Sequence, residues 1–321
     1  MGEDVRPALK FGADCFSQHT DWPSYLRAMQ AAEDLGYDSL WTPDHLIPTP
    51  PDADPEGAIL EPYMCLAGVA AMTSRATLGC LVSPISLRQP ALLVKMITAL
   101  DHMSNGRAIL GLGAGWHQEE HRQYGFEFGK GFGERLDWLR QALPVMRGML
   151  DGTRPSSLGG RYDIQEAVNS PAPVQARLPI LIGGTGPRVT LRLVAEYGDM
   201  CNLIGSPDQV ATAEAKLIEH CEAIDRDPAQ IERTVAIRQP VIRDSRSEAE
   251  QVLNEIFAHN DSEPWSRDMM GTPQDLVERC APYVEMGYRH LVFQYLAPFD
   301  AQTMERLATE VRPQLEAIAN A

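Results

Sequence analysis

Three stretches of the chain carry residue types at spacings that could do chemistry. In "LWTPDHLIP" a carboxylate and an imidazole stand side by side, Asp44 and His45. Such a pair suits proton transfer, or hydrogen bonding to a ring, near neutral pH. In "LIGGTGPRVTLRL" an apolar run gives way to Gly183, Gly184, Thr185 and Gly186, then to a helical pattern opening at Pro187. Bare backbone N–H groups at the positive end of a helix, with a hydroxyl at Thr185, form a phosphate-binding arrangement. In "GLGAGWHQEEHRQYGFEF" Gly111, Gly113 and Gly115 alternate, and His117 and His121 follow four apart.

The third stretch imitates several sites without matching them. A dinucleotide fingerprint needs glycine where Trp116 stands. A P-loop needs Ser or Thr directly after its lysine, and Lys130 is followed by Gly131. "HQEEH" fits the H-x-x-E-H pattern of metal-dependent proteases, with Glu120 as base. No third ligand is identifiable, so no metal is assigned. His121 and Glu119 then read as an ordinary solvated helical turn. Alternate glycines present their bare faces on one side of a strand, where a flat or bulky group can approach or where barrel packing wants small residues.

These residues must be positioned by something, and the rest of the chain indicates what. Short β-rich runs alternate with helical patterns throughout: "LKFGADC", "YDSLWT", "ATLGCLVSP", "RAILGLGAG", "PILIGG", "DMCNLIG", "RTVAIRQPVI" and "YRHLVFQYL" are eight strands. Eight parallel strands with right-handed helical crossovers close most economically into a (β/α)8 TIM barrel, with a doubly wound open sheet as the alternative. The 321 residues show no composition break, so 1–321 reads as a single domain with a loop-rich insertion at about 114–178, after strand four. A barrel places its site at the C-terminal mouths of the strands. That selects Asp44 and His45, Ser83 and Pro84, Trp116 and His117, Gly183 to Gly186, Asn202, Arg238, and Gln294 with Tyr295. The Pro- and Asp-rich loop at 43–60 is long enough to be functional.

The net charge of −16 gives no global attraction to nucleic acid or anionic lipid, so an anionic ligand needs local features. No run of about 18 apolar residues could span a bilayer, and the N-terminus is not a secretory signal. The six scattered cysteines read as reduced core residues of a cytoplasmic protein.

Taken in order, "LGYDSLWTPDHL", "LGCLVSPISLRQPALLVKMITALDHMSNGRAILGLGAGWHQEEHRQYG", "PILIGGTGPRVTLRLVAEYGDMCNL" and "GTPQDLVERCAPYVEMGYRHLVF" resemble the luciferase-like monooxygenase superfamily of flavin and deazaflavin oxidoreductases. Within it the chain looks most like the branch that uses coenzyme F420. The resemblance spans nearly the whole chain. It implies a bacterial luciferase-like barrel with an insertion after strand four, a cofactor ring across the mouth and its phosphate near Gly184. Asp44 and His45 would lie beside the deazaflavin, with His45 as proton donor or acceptor and Asp44 orienting the ring or His45. A non-prolyl cis peptide would fall at Cys80–Leu81, putting Cys80, Leu81 and Ser83 behind the ring. Gly113 and Gly115 would lie beneath it, and Asn202 beside it. Thr49, Trp116, His117 and Gln294 would line the substrate cleft. Arg107, Arg122 and Arg188 are candidate partners for the cofactor's acidic tail.

Two departures bear on the substrate. The sugar-phosphate dehydrogenase of that branch has an acid where this chain has Trp116 and a tryptophan where it has Thr49, so sugar-phosphate chemistry is not carried over. Cys201–Asn202 replaces a frequent W-N pair, leaving more room above the ring. The implied activity is hydride transfer between the deazaflavin and a small organic substrate. The alternative is an FMN-dependent monooxygenase supplied with reduced flavin by a partner reductase; a non-enzymatic flavin binder and a zinc hydrolase are further alternatives. A homodimer through outer helices is expected.

Overall fold

A computed structural model describes residues 7–49 and 54–321. Residues 1–6, on which the absence of a secretory signal rests in part, and residues 50–53 of the 43–60 loop lie outside them.

Eight parallel strands form the barrel expected from the sequence. They are β1 (Lys10–Cys15), β2 (Ser39–Thr42), β3 (Thr77–Cys80, resuming at Ser83–Pro84), β4 (Ala108–Gly113), β5 (Ile180–Gly183), β6 (Met200–Ile204), β7 (Glu232–Ile237) and β8 (His290–Tyr295). Each pairs with its neighbour in order, and β8 pairs with β1 to close the ring, Lys10 opposite His290 and Asp14 opposite Gln294. The helices are α1 (Trp22–Asp34), α2 (Pro62–Met72), α3 (Pro90–Met103), α4 (Gln118–Tyr124), α5 (Phe132–Leu150), α6 (Thr190–Tyr197), α7 (Pro207–Glu222), α8 (Arg246–His259), α9 (Pro273–Glu285), α10 (Ala301–Arg306) and α11 (Arg312–Asn320). Their starts follow from local chemistry. Proline opens α1, α2, α3, α7 and α9, where its missing N–H has no partner to lose. Ser206, Ser245 and Thr272 make reciprocal capping boxes with Gln209, Glu248 and Asp275.

Strand alternation sorts residues into two layers. Phe11, Ala13 and Cys15 point outward into the large core between barrel and helices. Lys10, Gly12 and Asp14 therefore point inward. The interior is filled by Trp41, Ile109, Leu181, Met200 and Val292, with Leu81 and Val82 packed on them. At its N-terminal end a polar chain closes the floor. Lys10 pairs with Glu232 at 2.9 Å. His290 donates from Nδ1 to Glu232 at 2.8 Å, and its Nε2 lies 2.7 Å from Ser39 Oγ. That same oxygen accepts from Trp41 Nε1 at 2.7 Å.

Three boundaries differ from the sequence reading. Strand seven ends at Ile237; Val241–Ile242 instead pairs with Met270–Gly271 in a separate two-stranded sheet. Pro240, which has no N–H to continue the ladder, separates the two. This excursion, with α8, has its own small core around Phe16, Leu253, Phe257 and Leu296. The insertion placed at 114–178 is two pieces, because α5 within it buries Trp138, Leu139, Leu143 and Met146 in the main core as an ordinary barrel helix. The helix after β5 begins at Thr190, so Pro187 sits in the preceding turn. Among the described residues no helix is long and apolar enough to cross a membrane. All six cysteines are buried and unpaired.

The alternate glycines of β4 are explained by close backbone approach. A Cβ on Gly111 would sit 2.0 Å from the Cys80 carbonyl oxygen, and one on Gly79 would sit 2.3 Å from that of Ile109. Backbone atoms cannot step aside as a flexible side chain can. Gly111→Ala should therefore destabilise the protein by about 1–3 kcal/mol, the range for overpacking. Urea unfolding at pH 7 tests this; an unchanged midpoint would show that β3 and β4 separate freely.

Candidate active site

The mouth of the barrel is built around Val82. The peptide bond between Leu81 and Val82 is cis, one residue later than the Cys80–Leu81 position implied by the family resemblance. Val82 projects onto the bare faces of its neighbours: a Cβ on Gly113 would meet it at 2.7 Å and one on Gly183 at 3.0 Å. The glycines thus accommodate Val82, and Val82 presents a small apolar wall to the mouth. Cys80 faces outward into the main core, where burial pushes its thiol well up, so its side chain does not reach the mouth. Ser83 is buried against the Tyr63 hydroxyl at 2.9 Å. Gly115 turns the chain with φ 81° beside Pro84 and Ser86.

Asp44 and His45 separate into two networks. Asp44, fully buried at the end of β2, receives the Arg88 guanidinium at 2.5 Å, and Arg88 bridges on to Glu61 at 2.6 Å while lying over the Tyr63 ring. Burial pushes the Asp44 carboxyl up and Arg88 opposes it; the guanidinium itself is held further in its charged form by Asp44. Asp44 therefore does not orient His45, one of the two roles expected of it. The His45 Nδ1 instead lies 3.3 Å from Glu120 Oε2, and the same oxygen accepts from the Leu46 N–H at 2.5 Å. Trp116 stacks on His117 with centroids 4.8 Å apart and an interplanar angle of 8°, and His45 meets both rings edge-on. Trp116 is half exposed, whereas His117 is buried, which lowers its pKa, and its Nε2 has no partner.

His121 is buried rather than solvated. Its Nδ1–H donates to the His117 carbonyl at 2.8 Å and its Nε2 accepts from Ser86 Oγ at 2.7 Å, so both ring nitrogens are occupied and neither is offered to a metal. Glu119 is half-buried and pairs with the exposed Arg122 on the same helix. Arg107 lies at the opposite end of the barrel, just before β4, bonded to the carbonyls of Ala70, Thr73, Ala76 and Ser104. Arg188 stays exposed in the turn before α6.

The other predicted residues differ in what they offer the mouth. Gly184, at φ 123°, donates its N–H to the Asn202 carbonyl at 3.0 Å, Thr185 is exposed, and Gly186 packs on Thr190. Asn202 donates to Thr234 Oγ1 at 2.8 Å. Thr49 is buried and tied to Gln18, its N–H to Oε1 at 3.0 Å, rather than open to a cleft. Gln294 donates to Asp14 at 3.1 Å. Tyr295 faces outward and bonds Tyr37 at 2.8 Å. Arg238 is exposed and, with Ile204, Trp265 and Met269, lines a cavity of about 800 Å³ at the rim between β6 and β7.

Four residues that matter here escaped the sequence reading. Arg88 stands in "SLRQP" just past β3 with no motif around it. Glu120 was visible only as part of an apparent metal pattern. Asp14 was legible from alternation with Lys10 and Gly12 on β1. Arg135, at the start of α5, is almost fully buried and donates to the carbonyls of Gly115 and Phe128 at 3.1 Å while stacking on Phe128 at 3.8 Å, with no carboxylate beside it. Desolvation without a counter-charge lowers its pKa. A buried cation in that state, next to a glycine turn, is suited to an anionic ligand. Asp14, Asp44, His117 and Glu120 each also keep one buried side-chain atom unbonded. Orphaned polar atoms gathered at one mouth fit a polar ring system.

A family model described as luciferase-like monooxygenase matches residues 9–290. The F420-dependent glucose-6-phosphate dehydrogenase of Amycolatopsis mediterranei (strain U-32) is 25% identical over 317 residues, covering 89% of this chain and 92% of its own. An F420-dependent secondary alcohol dehydrogenase, solved in complex with an F420-acetone adduct, shares the fold with a TM-score of 0.80 at 18% identity, over 96% of this chain and 99% of that one. The oxygenating constituent of 3,6-diketocamphane monooxygenase from Pseudomonas putida, in complex with FMN, does so at 0.73 and 17%, over 96% and 99%. The chain belongs to the luciferase-like monooxygenase family and is an enzyme of the oxidoreductase class.

The inward carboxyl of Asp14 yields a pH prediction. Burial pushes it up to about 7 against the opposing Gln294 bond, so the folded chain binds this proton more tightly than the unfolded chain does. Its contribution to stability is present below the ordinary carboxylate pKa and lost as pH rises through about 7. Asp14→Asn should match the parent at pH 4 and exceed it by about 2–4 kcal/mol at pH 8. Denaturant unfolding at the two values reads this directly; parallel pH dependences would mean that Asp14 is ionised in the fold.

Proposed function

We propose that the enzyme is a coenzyme F420-dependent oxidoreductase acting on a small organic substrate. A relative that matches along nearly the whole chain is F420-dependent, and this observation carries the choice of cofactor. The residues at the mouth fit such a group. In the glycine turn the Gly184 N–H is committed to Asn202, which leaves Thr185, with its exposed hydroxyl, and Gly186 to meet its phosphate, and Arg135, beside Gly115, is a buried cation without a carboxylate partner among the described residues. Val82 forms the wall behind its ring, held there by Gly113 and Gly183.

When bound, a deazaflavin donates or accepts a hydride at its ring carbon. The chain's task is then to align the substrate, exclude water and manage the accompanying proton. His45, walled by Trp116 and His117, is the group that would hold or take that proton. Asp44, neutralised by Arg88, fixes the segment that carries His45. Trp116, half exposed at the mouth, favours a substrate with an apolar portion. An FMN monooxygenase is the second reading, favoured by the FMN-bound neighbour, and would require reduced flavin from a partner reductase.

Titrating the apo-protein with coenzyme F420 and with FMN side by side tests the cofactor assignment. We expect F420 to bind at least about tenfold more tightly, a difference of about 1.4 kcal/mol; tighter FMN binding would select the second reading. For the proton role, His45→Ala should lower single-turnover hydride transfer by about 10²–10⁴ with a much smaller change in cofactor affinity. Transfer within threefold of the parent would remove His45 from the chemistry.

A further inference from the structure

The segment that carries His45 is gripped by α4. Glu120 and Tyr124 are one helical turn apart and so share a face. Glu120 Oε2 accepts the Leu46 N–H at 2.5 Å, and the Tyr124 hydroxyl donates to the Leu46 carbonyl at 3.1 Å. Both polar groups of one residue are thus held from the same helix. The third bond of this grip reaches the imidazole: Glu120 Oε2 lies 3.3 Å from His45 Nδ1. Glu120 is fully buried, and its other oxygen is unbonded.

We infer that Glu120 is the positioning residue of the site: it fixes the proton of neutral His45 on Nδ1, leaves Nε2 as the atom that exchanges a proton with the substrate, and stabilises the imidazolium formed when Nε2 is protonated. A carboxylate has only acceptors, so the His45 nitrogen facing it must be the donor. That assigns the tautomer without reference to any ligand. Burial would push the Glu120 carboxyl up, but the His45 bond, the charge of His45 and the Leu46 N–H outweigh it, and its pKa stays below the usual carboxylate range. The group is therefore held as an anion. The other charged and titratable groups around His45 do not supply this function. Asp44 is committed to Arg88, His121 has both nitrogens bonded, and His117 is disfavoured as a cation by burial and by His45 itself. The proton balance is simple. In oxidation of an alcohol, the substrate O–H proton passes to Nε2 as the C–H hydride leaves for the oxidised deazaflavin; reduction of a carbonyl returns both.

This inference rests on the proton role proposed for His45, but its first test does not. Nitrogen-15 NMR of the wild-type protein, without cofactor, reads the tautomer directly. Neutral His45 protonated on Nδ1 is expected; protonation on Nε2 overturns the assignment. The second test separates charge from geometry. Glu120→Gln keeps an oxygen acceptor for Leu46 and Nδ1 but removes the charge, so the tautomer should persist while single-turnover hydride transfer falls by about tenfold or more with KM little changed. Glu120→Ala should lose the tautomer preference as well as the rate. An unchanged transfer rate in Glu120→Gln would reduce Glu120 to a backbone clamp. Glu120→Asp should restore part of the rate. If His45→Ala leaves turnover intact while the NMR results hold, the proton role of His45 fails and the positioning of its ring stands. If the NMR results fail while His45→Ala is inactive, the reverse is true.

Discussion

Closure of this barrel turns on the approach of β3 to β4. At Gly79 and Gly111 the two backbones come so near that neither strand can carry a side chain. The interruption of β3 after Cys80 then sends Val82 across the bare faces of Gly113 at the end of β4 and Gly183 at the end of β5. One side of the mouth is in this way made almost entirely of backbone and one small apolar side chain. Asp14, Asp44 and His45 come from β1 and the end of β2, the strands next to β3 on its other edge, and Glu120 reaches His45 from α4, which follows β4.

Charge is handled locally, as a chain of net charge −16 requires. Three buried arginines show three solutions. Arg107 is satisfied by carbonyls at the floor and locks β4 to the segments beneath it. Arg88 is neutralised by two carboxylates and organises the loop bearing His45. Arg135 has carbonyls and an aromatic face but no anion. The first two hold the protein together. Only the third leaves an electrostatic deficit that something from outside can fill.

The eight strands were legible because each is a short apolar run bounded by turn residues. The mouth residues Asp44, His45, Trp116 and His117 could be found because the fold says where to look. What could not be read was which acid serves which base. Asp44 and His45 are adjacent in sequence, and adjacency suggested a dyad; on an extended segment, neighbours point apart, so Asp44 turns to Arg88 and His45 to Glu120, 75 positions away. Similarly, "HQEEH" was seen as a metal pattern and set aside whole, although one of its acids is buried and one of its histidines bonds Ser86. Helix boundaries failed where proline was taken as a start, as at Pro187, and strand seven was read too long because Val241 and Ile242 are as apolar as the barrel strand before them.

The indole rings of Trp41 and Trp116 sit in opposite surroundings. Trp41 is sealed in the barrel centre, its N–H bonded to Ser39. Trp116 is half exposed at the mouth and stacked on an imidazole. Indole emission shifts to the blue in a dry, rigid setting and is quenched by contact with a cationic imidazole or an absorbing ring. The chain has five tryptophans; with Trp22, Trp138 and Trp265 replaced, the emission of Trp41 would follow whether the barrel is closed, and that of Trp116 what stands in its mouth.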